Sequence, residues 1–197
     1  MKAASRSRLR RALLDLSHQR LDNKVLWRLI DRYRSGNPAS RYDRALVLIS
    51  GSYIEQGLES VISLATVSEY DEQSTRAELF GSDRPGAING FYGKIILGHA
   101  LGAYTNAFKE DLHQIRHLRN AFAHARGEIS FRTTEVADVC HFHTTDHFGG
   151  EDGIPFKDAR DRYVFMAFFA SLTFELIVKD LGEDNRPAGY DPRQVLP

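Results

Sequence analysis

The side chains best suited to chemistry gather between Asn106 and Arg126, where Arg119-Asn120-Ala121-Phe122-Ala123-His124 runs without interruption. Placed on a helix at about 100° per residue, His113, His117, Asn120 and His124 fall in a strip roughly 60° wide. Three imidazoles, the groups that titrate nearest neutrality, and one amide therefore share a face. Arg119, a permanent cation, lies about 140° around the helix from His124. Ile115, Leu118 and Phe122 point away from the histidine strip, with Leu112 and Ala121 at their margins, and form the apolar stripe that docks such a helix on a core. Arg119 sits beside that stripe and needs a partner there. Glu55 and Glu59, four residues apart on an earlier helical stretch, are the candidates.

A second group, Cys140-His141-Phe142-His143 with Asp146 and His147, contains residue types that zinc accepts. Four-ligand sites usually draw paired ligands from two separate segments, whereas these crowd into eight consecutive positions. The expectation is solvated loop histidines and no metal site. His113 and His117 stand four apart but lack the glutamate of a metalloprotease helix. Cys140 has no nucleophile signature around it, and no Gly-x-Ser-x-Gly elbow is present. The glycines at 90, 93, 98 and 102 are not followed by the Lys-Ser/Thr of a phosphate loop.

The elements that must hold these residues read as helices throughout. Leu9, Leu13 and Leu16, then Val25, Leu26, Leu29, Ile30 and Tyr33, recur at helical spacing until Gly36-Asn37-Pro38. A long helix is expected from Arg41 to Ala65, a short one from Asp71 to Phe80, and a glycine-containing one from Ala87 to Leu101, its glycines admitting a close neighbouring backbone. After Asn106–Arg126, Thr133 or Thr134 can cap a short helix to about His141, and Thr144 to Pro155 reads as a polar loop. Arg160 to Leu181 is apolar nearly all round, which suits the central helix of a bundle or a face buried by a second subunit. With no strand pattern, the chain is expected to be all-α: one helical bundle of five to six helices at 41–182, preceded by a basic helical extension at 1–40 and followed by an irregular tail at 183–197.

Composition narrows the classes. The chain has 197 residues, 42% hydrophobic and 26% charged, with 26 basic residues balanced by 26 acidic ones. That suits one soluble domain without the global field of a nucleic-acid or membrane binder. Lys2, Arg6, Arg8, Arg10, Arg11 and Arg20 do concentrate positive charge at the start, where contact with phosphates is conceivable. The lone Cys140 excludes an internal disulfide. Neither a secretory signal nor a membrane span is legible, so a soluble, cytoplasmic protein is expected.

Arg119 followed by Asn120 and, after four intervening residues, His124 resembles the R-x4-6-H motif of the HEPN superfamily (higher eukaryotes and prokaryotes nucleotide-binding domains). The wider pattern, Pro85 to Gly102, Glu110-Asp111-Leu112, Ile115, Arg119-Asn120, Phe122-Ala123-His124 and Ile129-Ser130-Phe131, is similar to the mannitol operon repressor (MltR)-like family, over about Arg41 to Leu181. The resemblance implies a HEPN-like four-helix core. It also implies a metal-independent endoribonuclease without cofactor, in which the RNA's own 2′-OH attacks the adjacent phosphate. His124 would then be the acid and base, Arg119 the cation against the phosphorane charge and Asn120 an orienting group, with His113, Arg116 and His117 contacting substrate. In that family the motifs of two subunits face one another, so RNA, a homodimer and a regulator or antitoxin are the implied partners. The alternative is a non-catalytic, MltR-like regulatory or protein-interaction module. Here Arg119 serves an ion pair, and His124 merely complements the helix dipole.

Overall fold

The computed structural model describes Arg28 and residues 42–66, 72–81, 86–149 and 153–182. Among them the chain is all-α: α1 (Asp43–Thr66), α2 (Glu72–Phe80), α3 (Phe91–Ala100), α4 (Asn106–His124), α5 (Thr134–Val139), α6 (His143–Phe148) and α7 (Ala159–Gly182). No strand occurs among the described residues. The expected extension at 1–40, of which only Arg28 is described and is helical, and the tail at 183–197 lie outside them.

The bundle is built on α1, which packs most extensively on α7 and then on α4 and α3. Leu46, Val47, Ile54, Leu58 and Val61 share one face of α1, and all are fully buried. They meet Leu112, Ile115, Leu118 and Phe122 of α4 and Tyr163, Met166, Ala170 and Phe174 of α7 in one continuous core. Burial of each such side chain contributes about 1.5–3 kcal/mol. The apolar circumference of α7 divides accordingly. One face fills the core, Phe165 and Phe169 join Phe148 in an aromatic cluster, and Leu172 and Leu176 remain exposed.

Two buried carboxylates tie loops to this core. Asp43 pairs with Arg160 of α7 at 2.6 Å and accepts the Phe131 N–H at 3.1 Å. Asp111, on the core side of α4, accepts the N–H groups of His143 and Thr144 at 2.7 and 2.9 Å and the Thr144 hydroxyl at 2.6 Å. These bonds satisfy the first donors of α6. They explain a departure from the sequence reading, for the stretch expected as a polar loop from Thr144 carries a helix there. It raises the number of described helices to seven. Thr133 precedes α5, but its hydroxyl accepts the Ser130 N–H instead of capping the helix.

The glycine-containing segment is helical over Phe91–Ala100 and closes on Gly102, whose φ of 76° permits the left-handed turn. Gly102 N–H donates to His99 O and Ala103 N–H to Gly98 O, the paired bonds of a Schellman ending. Gly98 makes room for a side chain, not a backbone: a Cβ there would meet the Tyr104 hydroxyl at 2.8 Å. That hydroxyl donates to Ile95 O at 2.7 Å.

Candidate functional site

Thr105 starts α4 by accepting the Phe108 N–H through its hydroxyl, and Phe108, Asp111, Leu112, Ile115, Leu118 and Phe122 form the buried stripe that fixes the helix's rotation. With this stripe inward, His117, Asn120 and His124 are exposed, and His113 is half-buried. The single histidine-bearing face expected from the spacing is therefore present.

Its two ends differ. Towards the middle of α4, the Tyr92 and His113 rings lie 5.4 Å apart, and the Arg116 guanidinium sits 5.4 Å over the same Tyr92 ring. Arg116 also lies within hydrogen-bond distance of His117, Nη2 to Nε2 at 2.8 Å. In that contact the guanidinium can only donate, so the imidazole nitrogen is the acceptor. Burial lowers the pKa of His113 from its usual 6.5, with Arg116 adding to the effect. The three residues proposed to contact substrate thus form one cluster with an aromatic partner, Tyr92, that the sequence reading did not include. At the other end, Asn120 and His124 are open to solvent, and His124 makes no hydrogen bond or ion pair among the described residues.

Arg119 is engaged elsewhere. Its Nη1 lies 2.9 Å from Glu55 Oε2, and its guanidinium stands 5.7 Å over the Phe91 ring. Of the two carboxylates expected as partners, Glu55 takes Arg119. Glu59 pairs with Lys94 and Arg76, while Lys94 also reaches Glu55 at 2.7 Å. Lys94 is only 4% exposed and forms the buried centre of a chain of otherwise partly exposed charges that links α1, α2, α3 and α4. Gly51 allows the arrangement, because a Cβ there would come within 3.0 Å of the Arg119 side chain. The Arg119 side chain retains 31% exposure but its guanidinium faces α1 and α3, while His124 stands free in the last turn of α4. Within one chain the structure engages Arg119 and leaves Asn120 and His124 open.

The histidines following Cys140 do not assemble with it. Cys140 is buried, and burial pushes its thiol up to about 12. His141, His143 and His147 are exposed, and His141 Nδ1 lies 3.3 Å from Arg162, which also pairs with Asp146. Among the described residues no group of three His, Cys, Asp or Glu side chains is placed to hold a metal ion. None of the described helices is long and apolar enough to cross a membrane.

Compared with protein-family models, with characterised proteins and with solved structures, the chain matches none.

Proposed function

We propose that this chain is a non-catalytic helical regulatory or interaction module of the MltR-like kind, and that Arg119 serves its architecture. The observation that supports this reading is the 2.9 Å pair between Arg119 and Glu55, reinforced by the Phe91 ring. A guanidinium neutralised by one carboxylate and covered on a face by an aromatic ring has less charge to offer a phosphorane, and moving it would leave Glu55 without one of its two cations. The exposed strip of His117, Asn120 and His124 and the outward Leu172 and Leu176 of α7 are then the surfaces offered to a protein partner or a second copy of the chain. A single buried cysteine suits a reducing cytoplasm.

The second reading is a metal-independent endoribonuclease of the HEPN kind. It is favoured by His124, exposed and unengaged as a proton shuttle must be, with Asn120 exposed beside it. In this reading Arg119 of one subunit would serve His124 of another. Incubation of the full chain with a mixed RNA pool in EDTA separates the two. The module leaves the RNA intact even at high protein concentration. Cleavage leaving 2′,3′-cyclic phosphate ends, abolished in His124→Ala while the thermal unfolding curve is unchanged, would overturn the module and establish the nuclease.

A further inference from the structure

Beyond the C-terminus of α4 the chain folds into an open cavity of about 790 Å³ lined by Arg44, Arg126, Ile129, Ser130, Arg132 and Thr133, with Gly127 and Glu128 completing the wall. That volume falls in the range of small-ligand sites, roughly 300–1,000 Å³. The wall carries three guanidiniums against one carboxylate.

What distinguishes these arginines is that two of them are unspent. Arg76, Arg119, Arg160 and Arg162 each pair with a carboxylate. Arg126 and Arg132 are exposed, and among the described residues neither guanidinium has an ion pair or hydrogen bond. Arg44 has a different task. Its Nη2 donates to Ala125 O, the C-cap carbonyl of α4, at 2.9 Å and to Gly127 O in the loop that follows at 3.3 Å. The partial negative charge of a helix C-terminus would otherwise repel an anion from this place.

The loop adds neutral donors. Ser130 Oγ accepts the Arg132 N–H and Thr133 Oγ1 accepts the Ser130 N–H, each at 3.2 Å. Each hydroxyl keeps its own proton to donate. The cavity is thus rich in donors and poor in acceptors, with two free forks suited to bidentate contact with phosphate oxygens.

We propose that this cavity binds a small ligand carrying two or more phosphate groups, with Arg126 and Arg132 as the gripping cations and Arg44 shielding the helix end. A polynucleotide fits less well. It would need a track of several free cations to displace its counterions, whereas Arg160, paired with Asp43 next to Arg44, is committed to a carboxylate. Neither Arg119 nor His124 lines the cavity.

Calorimetric titration of the full chain at low ionic strength with inorganic tripolyphosphate, and in parallel with a sugar bisphosphate, tests it. Saturable binding to one site is expected for at least one probe, and the better of the two tells whether the ligand is a free polyphosphate or a phosphorylated metabolite. Arg126→Gln/Arg132→Gln should weaken binding by about tenfold or more. Lys109→Gln/Lys157→Gln, which removes the same charge elsewhere, should leave it within about twofold. The single Arg132→Gln variant serves if the double variant unfolds earlier than the wild type. Absence of saturable heat with both probes, equal weakening in the two double variants, or a short RNA that binds and is not displaced by tripolyphosphate would each overturn the proposal.

Discussion

On the inner side of α4, Asp111 is fully buried and accepts three hydrogen bonds from α6, and Arg119 is held by Glu55. On its outer side, His117, Asn120 and His124 face solvent. The same helix therefore treats its polar side chains in opposite ways, and sequence position alone does not say which treatment a residue receives. Arg119 and Asn120 are adjacent, yet one is engaged in a partly buried charge network and the other is exposed. A motif that spans both sides of a helix can have one member serving the fold and another left for a partner.

The comparison breaks most readily at Asp111. Removing its carboxylate in Asp111→Ala strands two backbone N–H groups and the Thr144 hydroxyl, and should cost about 3 kcal/mol in urea unfolding. A loss under about 1 kcal/mol would mean that α6 is held by its aromatic contacts and not by this cap. A smaller effect is expected at Arg119. A double-mutant cycle with Arg119→Ala and Glu55→Ala should return a coupling of about 1–2 kcal/mol, above a surface pair because Glu55 is only 15% exposed. A coupling indistinguishable from zero would release Arg119 from its structural assignment and return weight to the nuclease.

The smallest effect is at His113. Its folded pKa lies below the usual 6.5, so between those two values the folded chain binds fewer protons than the unfolded one. Stability present above pH 6.5 is lost as pH falls through 6.5 toward the lowered value. His113→Gln should flatten that part of the stability profile. An unchanged profile would assign the acid-side loss to other groups.

The bundle, its long helices and the rotation of α4 were legible because periodic apolar residues report directly on which face is buried. The alternatives for Arg119 were legible too, since Glu55 and Glu59 had to lie beside the same stripe. Choosing between them was not, because other helices supply competing cations: Lys94 of α3 reaches both carboxylates and Arg76 of α2 reaches Glu59, and nothing in the α3 pattern marks that lysine as interior. Helix α6 escaped notice because its N-terminal acceptor is Asp111, thirty-two residues upstream of His143. The arginine-lined cavity was likewise invisible. Arg44 belongs to the start of α1, and only the packed bundle brings it to the carbonyls that end α4.

Tyr104 also bears on how the bundle assembles. Its hydroxyl reaches back nine residues to Ile95, so the corner joining α3 and α4 is fastened by contacts within a short loop of chain. Closing so short a loop takes little chain entropy. The angle at which α4 leaves α3 is thus fastened by a bond between neighbours in sequence, and Phe174 of α7 packs on the same Tyr104 ring from the far end of the chain.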